Sequence, residues 1–356
     1  MTEQTHRWMI YGAYGYSGEL IAREAARLGL EPVLAGRNEA KLEPLGRELG
    51  LDIAVLDLHD EAELAMALQP MHLVLHCAGP FSATAGPMMD ACIASQTHYL
   101  DITGEIEVFE AGARRDAQAR AAGVALCPGV GFDVIPTDCV AAHLKEALPG
   151  ATRLALGFDS RSGMSPGTAK SSIEGMAAGG RVRQGGVIKP VPLAASVREI
   201  DFGNGSKMAM TIPWGDVSTA FHSTGIPDIE VYVPASPRLI KQARRANWVR
   251  PLMGFGPVQS LLKTLAGRRV TGPDAGKRDK LITHVWGEVT DDRGDRRVAR
   301  IVTGNGYNVT RDGSLMVAQH LLTQTVEGGY HTPSTLVDKD LVKRLPGSGE
   351  LTIGEG

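Results

Sequence analysis

The chain has 356 residues, 43% of them apolar, enough to bury the cores of two domains. Charged residues make up 22% and nearly balance at a net charge of -3, which excludes a dedicated nucleic-acid binder, since that class is basic overall. No run of about 18 apolar residues marks a membrane-spanning helix. The polar start "MTEQTHRWMIYG" has neither a signal-peptide core nor a transit-peptide bias, so a cytoplasmic location is expected.

In the first half, strand-like apolar runs alternate with helical periodicity. "RWMIYG" (7–12) predicts a strand, and "SGELIAREAARLG" (17–29) a helix with Leu20, Ile21, Ala25 and Leu28 on one side. "PVLAG" (32–36) predicts a second strand and 38–50 a second helix, with Asn38 as N-cap and Pro44 set awkwardly inside it. The same alternation predicts strands over 53–58, 72–81, 98–103 and 124–132, and helices near 60–69, 85–95, 105–122 and 134–148. Strands joined by such helices form a parallel sheet with right-handed crossovers, and ligands bind at the carboxyl ends of its strands. Cys77, Cys92, Cys127 and Cys139 stand singly in apolar stretches, which fits reduced core thiols.

The second half changes character. Strands are predicted over 153–160, 207–213, 229–235, 280–292 and 296–304, close enough in sequence to form an antiparallel sheet. Helical stretches fall near 166–178 and 236–264. A last helix over 312–326 precedes a loop-rich tail.

"GAYGYSG" (12–18) sets Gly12, Gly15 and Gly18 three apart between a strand and a helix. Such a turn lets backbone approach a pyrophosphate and offers the helix amino end to it. Gly12, Tyr14, Gly15, Tyr16, Ser17 and Gly18 are therefore the expected phosphate-loop contacts. The next strand ends in Arg37, where many dinucleotide binders carry an acid. An acid there accepts from the ribose 2′-hydroxyl, whereas a guanidinium donates in a forked geometry to a 2′-phosphate. Arg37, with Asn38 beside it and Lys41 a turn away, predicts NADP(H) over NAD(H). The plainer alternative for Arg37 is a solvated surface residue.

Together "GAYGYSGELIA", "LAGRNEAKL", "CAGPF", "HYLDITGE" and "GVGFDVIPTD" resemble the saccharopine dehydrogenase-like oxidoreductases, most closely the bacterial branch that includes trans-acting enoyl reductases. The likeness continues through 165–176, 213–232, 284–289, 305–310 and 328–336. It implies an α/β protein: an NADP-binding Rossmann domain, an inserted α+β domain with a mixed or antiparallel sheet, and a C-terminal segment returning to the first domain. The expected limits are 1–150, completed by 306–356, for the nucleotide domain, and 151–305 for an inserted substrate or dimerisation domain. The resemblance also places Ala78, Gly79 and Pro80 near the cofactor's ribose or nicotinamide. Asp101, Thr103 and Glu105 would point into the same crevice. Asp133 reads first as a helix N-cap, and Thr103 and Glu105 either cap the next helix or line the site. Tyr14 stands where the family more often has Thr.

Hydride chemistry needs a polarising or proton-donating group. The chain lacks a Tyr-x-x-x-Lys pair, which leaves Tyr99, Glu105, His222, Tyr330 and His331 as candidates. "GMSPG" (163–167) matches the GxSxG hydrolase pattern, but Pro166 follows its serine and has no N–H for an oxyanion hole. His72 and His76 lack a third ligand, so no metal site is expected. Residues 236–269 hold eight Lys or Arg, no acid, and interleaved apolar residues including Trp248. They read first as a helix packed on the core or a second subunit with a solvated basic face, and otherwise as a peripheral membrane or acyl-chain contact. The expected function is NADP(H)-dependent reduction of a small-molecule substrate in the cleft between the domains. A C=C bond in an acyl-type or lipid-like substrate is the first choice. An opine-type imine reductase is the rival enzyme, and a non-catalytic NADP-binding scaffold at a lipid surface the alternative of another class.

Overall fold

The computed structural model describes residues 6–160, 179–253 and 281–355, with backbone alone for 249–253. The first six strands are β1 (Trp8–Tyr11), β2 (Val33–Gly36), β3 (Ile53–Val55), β4 (Leu73–His76), β5 (His98–Asp101) and β6 (Ala125–Cys127). They pair in the order β6-β5-β4-β1-β2-β3, all parallel. Helices α1 (Tyr16–Arg27), α2 (Glu39–Leu49), α3 (Glu61–Leu68) and α4 (Phe81–Ser95) make the crossovers. β1, β2, β4 and β5 are buried at every position, as a sheet covered on both faces requires. Met9, Tyr11, Val33 and Val74 form one core with Leu64 and Leu68 of α3 and Met88, Met89 and Cys92 of α4. Ile10 and Leu34 point the other way, towards the side of α1 and α2.

The predicted helix over 105–122 is two helices, α5 (Ile106–Arg114) and α6 (Asp116–Ala122). Arg115 leaves helical geometry (φ -91°, ψ 0°), and its N–H bonds Gly112 O in a tight closing turn. Pro44 does not stop α2, which runs through it, and Asn38 caps that helix by accepting from Lys41 N at 3.2 Å.

After α7 (Ile135–Ala147) come β7 (Arg153–Ser160), β8 (Gly180–Gln184), β9 (Val187–Val191), β10 (Val197–Asp201) and β11 (Ser206–Thr211). Helix α8 (Asp216–Thr224), β12 (Asp228–Pro234), helix α9 (Pro237–Met253), β13 (Ile282–Thr290) and β14 (Arg296–Gly304) follow. This second sheet runs β10-β11-β12-β7-β13-β14, with β8 beside β12 and β9 beside β8. Its pairs are antiparallel except β7 with β12, which is parallel; the sheet is mixed. Ile200, Phe202, Ala209, Tyr232, Trp286 and Val298 form a core on one face. The Arg198 guanidinium lies over the rings of Tyr232 and Trp286 and pairs with Glu288 at 2.8 Å.

The chain then runs through α10 (Gly306–Thr323), which starts earlier than the predicted 312, to β15 (Gly329–Tyr330) beside β6. This is the C-terminal return to the first sheet. Helices α11 (Pro333–Leu336) and α12 (Leu341–Arg344) follow, and β16 (Thr352–Glu355) pairs with β14. By packing, Met1–Asp133 and Val309–Val337 form one compact unit, and Val134–Asn308 with Asp338–Gly356 the other. Helix α7 and the tail past Val337, both expected in the first domain, group with the second sheet. The reason is contact: α7 packs on β13 and β14, and the tail supplies β16. The predicted helix over 166–178, the GxSxG-like stretch and 254–269 lie outside the described residues. No helix among the described residues is long and apolar enough to cross a membrane.

Candidate functional site

At the carboxyl end of β1 the backbone turns at Gly12, whose φ is +85°. Gly12 N donates to Ala35 O at 2.7 Å, and Gly15 N donates back to Gly12 O at 2.9 Å. The turn is thereby tied to β2 and closed on itself. A Cβ on Gly12 would lie 2.8 Å from Ala78 N, in the loop after β4. A Cβ on Gly18 would lie 2.3 Å from Gly12 O. Neither position accepts a side chain, because both obstacles are backbone. Gly15 is the N-cap of α1, and no side chain caps that helix. A backbone cradle at an uncapped helix amino end is the geometry that receives a phosphate.

The end of β2 lies alongside. The ring of Tyr14 packs on Gly36, where a Cβ would meet Tyr14 Cε1 at 2.6 Å, and Lys41 Nζ is 5.5 Å from the centre of that ring. Arg37 is exposed and ion-paired with no described residue. Its guanidinium opposes the effect of burial on Tyr11, whose hydroxyl is pushed up to about 12 and donates to Leu56 O at 3.1 Å.

The loop Ala78–Gly79–Pro80 follows β4, with a cis bond before Pro80. Thr84 Oγ1 donates to Ala78 O at 2.7 Å and also contacts His76 Nε2 at 2.9 Å. His76 is fully buried, and burial pulls its ring down to about 3, so it is neutral. The Glu105 carboxylate reaches across from the loop after β5. It accepts from Phe81 N at 3.2 Å and Ser82 N at 2.7 Å. Glu105 thus caps α4, the helix beginning at the 78–80 loop, rather than acting through its side chain on α5, whose N-cap it occupies. Thr103 Oγ1 accepts from Glu105 N at 3.0 Å.

Behind this loop Asp101 is fully buried. It accepts from Tyr99 Oη at 2.6 Å, Thr103 N at 2.9 Å and Gly129 N at 2.8 Å. Burial raises its carboxyl to about 7 against the pull of those donors. Asp133, half-buried against Gly104, is likewise raised to about 7, by burial first and the Glu105 charge second. It does not cap α7: Val134 is the N-cap residue, and no side chain bonds there. Phe132 N instead donates to Thr310 Oγ1 at 3.1 Å.

Of the catalytic candidates, Tyr99 is fully buried with its hydroxyl donated to Asp101, a placement that locks the β5 and β6 loops. Glu105 belongs to the same network. Tyr330 stands apart on β15, its ring against Gly112 and its N–H on Asp116 at 2.8 Å, and His331 contacts Glu327 O at 2.9 Å. His222 is exposed on α8 of the other unit. Sequence reasoning missed the role of Glu105 on α4. The one signal was its place in "DITGE", opposite an α4 start that supplies no capping side chain of its own. Among the described residues no three His, Cys, Asp or Glu are grouped to hold a metal.

A parallel sheet ordered 6-5-4-1-2-3, a glycine cradle after its first strand and a cation after its second define a dinucleotide-binding Rossmann protein. Residues 8–127 match the saccharopine dehydrogenase NADP binding domain, and the chain is similar to the saccharopine dehydrogenase-like oxidoreductases. It is 27% identical over 217 residues to the saccharopine dehydrogenase-like oxidoreductase of Mus musculus, covering 53% of this chain and 51% of that one. It is 33% identical over 148 residues to a trans-acting enoyl reductase of Mycobacterium bovis, covering 36% and 33%. The chain spans about half the length of the mammalian relatives it matches. The fold is shared with apo saccharopine dehydrogenase (L-Glu forming) from Saccharomyces cerevisiae, at a TM-score of 0.65 and 12% identity over 99% of this chain and 100% of that one.

Proposed function

We propose that the protein is an NADPH-dependent reductase acting on a carbon–carbon double bond in an acyl-type substrate. The observation that carries the cofactor half is the pairing of a backbone cradle at Gly12–Gly18 with the exposed Arg37 at the end of β2. The Gly15–Gly18 amides would receive the pyrophosphate. Arg37 would donate in fork geometry to the 2′-phosphate. Asn38 has committed Oδ1 to Lys41 N, which leaves its amide nitrogen as a donor on the same side. The 78–80 loop, fixed by Thr84 and Glu105, would border the nicotinamide half. NADPH, when bound, supplies hydride; the chain's part is to orient it and to hold a proton nearby. Asp133, raised to about 7 at the carboxyl end of the sheet, is the acid best poised to carry that proton at neutral pH. The substrate class rests on the likeness to an enoyl reductase over about a third of each chain.

Absorbance at 340 nm tests the reading. The protein should oxidise NADPH with 2-enoyl thioesters in the panel and leave imines of amino acids untouched; the reverse pattern would favour the opine-type rival. Arg37→Ala removes a charge-assisted bond of about 1.5–3 kcal/mol, so NADPH binding should weaken about 10- to 100-fold with NADH binding unchanged. Equal NADPH affinity in both proteins would end the cofactor assignment.

A further inference from the structure

Helix α9 stands outside the nucleotide site. Its inner side is docked: Ile240 is buried with Ala194 and Ala235, and Ala243 packs on them. Asn247 accepts from Leu193 N at 2.8 Å and donates to Leu193 O at 3.2 Å. Arg238, Lys241 and Arg245, which helical spacing sets on the opposite side, are exposed. Trp248 falls on the flank of that outer stripe, one turn from Arg244 and Arg245, and is 89% exposed. Leu239 of the same helix is 45% exposed.

Two observations give this face a partner. The first is charge. Several surface arginines are matched, as Arg23 is with Glu19 and Glu48, Arg115 with Asp90 and Arg344 with Asp338. Others, such as Arg37 and Arg47, pair with no described residue; what sets α9 apart is three such cations on one helix face. Arg238, Lys241 and Arg245 are ion-paired with no described residue, and the stretch 236–269 contains no acid. An anionic surface would complement them. The second is the indole. Trp8 and Trp286 are each 3% exposed, so leaving Trp248 in water is an exception in this chain. An indole gains most where one end is apolar and the other wet, as among lipid headgroups. A soluble polyanion would satisfy the cations and leave the apolar side chains in water. We infer that the outer face of α9 docks on a bilayer carrying anionic headgroups, with Trp248 entering the headgroup layer between the cations. The inference is independent of the reaction proposed above.

Co-sedimentation of the full chain with NADPH tests it, using vesicles of phosphatidylglycerol and phosphatidylcholine in equal parts. Binding is expected at low salt and should be lost at about 0.5 M salt, where the Debye length falls to a few ångströms. It should be absent on phosphatidylcholine alone. Each cation near such a surface contributes about 1 kcal/mol. Lys241→Glu with Arg245→Glu should therefore weaken binding roughly 30-fold or more. Vesicles should shift tryptophan emission to shorter wavelength in the wild type and not in Trp248→Phe. All three substitutions are at exposed positions, so folding is preserved. Absence of binding at low salt, binding unaffected by the double charge reversal, or capture of a nucleic-acid oligomer but not of vesicles would each overturn the inference.

Discussion

Glu105 shows how a single carboxylate can serve a site without touching a ligand. Its two oxygens take the N–H groups of Phe81 and Ser82, two donors that the first turn of a helix cannot satisfy internally. The negative charge also meets the positive end of α4. Those two residues follow directly on Pro80, so the carboxylate fixes the exit of the 78–80 loop. Glu105→Ala should lower unfolding stability by about 1–2 kcal/mol, the usual magnitude for a lost cap. It should also separate the two halves of the cofactor. Calorimetry with NADPH should show weaker binding, while adenosine 2′,5′-bisphosphate, which on the proposed reading would reach only the Arg37 end, should bind as before. A parallel loss for both ligands would mean that Glu105 supports the whole unit rather than the loop. The Arg37→Ala protein supplies the contrast, since it should lose both.

At the scale of elements, the parallel sheet was legible because a strand covered on both faces must be apolar throughout, and "WMIY", "VLAG" and "LVLH" are so or nearly so. The glycine cradle was legible for a related reason: backbone close approach leaves glycine. The strands β8, β9 and β10 were not found. They carry cations where the alternating pattern expects apolar residues. Arg183 of β8 is 5% exposed, with its guanidinium over the Phe221 ring and bonded to Val217 O and Gly186 O. Arg198 of β10 lies over two aromatic rings, those of Tyr232 and Trp286. Only the Gly185–Gly186 pair, both at positive φ between Gln184 and Val187, marked a two-residue hairpin. The second sheet has its own packing constraint at Gly157, which lies beside Trp286 on one neighbour strand and Tyr232 on the other. A Cβ there would be 2.7 Å from Tyr232 O and 3.1 Å from the Phe202 ring. Gly157→Ala should therefore cost about 1–3 kcal/mol of unfolding free energy, as overpacking does, with NADPH affinity unmoved. Urea titration and cofactor titration on the same protein separate the two quantities. An unchanged urea midpoint would show that the sheet yields at this point.

For the molecule as a whole, the end of the first sheet opposite the cradle sets a limit in acid. His72 precedes β4 and stacks on His6 at 4.2 Å, and its ring meets that of His98, the first residue of β5, edge-on at 4.8 Å. His98 Nδ1 accepts from Ala125 N at 3.0 Å, a bond that requires the ring to be unprotonated at that atom. Burial, and then the neighbouring rings of His72, His331 and His6, pull His98 from 6.5 down to about 4. The folded chain therefore refuses a proton that the unfolded chain takes up as pH falls through 6.5. The stability this group contributes is present above that value and is lost progressively down to about 4. Within the window one proton corresponds to a slope of about 1.4 kcal/mol per pH unit. His76, held neutral in the core, acts in the same direction, while Asp101 and Asp133, raised to about 7, act in the opposite one, because the folded chain holds their protons more tightly. The net slope of the wild type is consequently a poor reporter of any one group, and the comparison has to be made with a variant. His98→Asn keeps an acceptor for Ala125 N and removes the titration. Between pH 6.5 and 4.5 its unfolding free energy should fall less steeply than that of the wild type, by an amount approaching one proton. Parallel curves for the two proteins would mean that His98 takes its proton in the folded chain as readily as in the unfolded one, and that the histidine end of the sheet opens to water in acid.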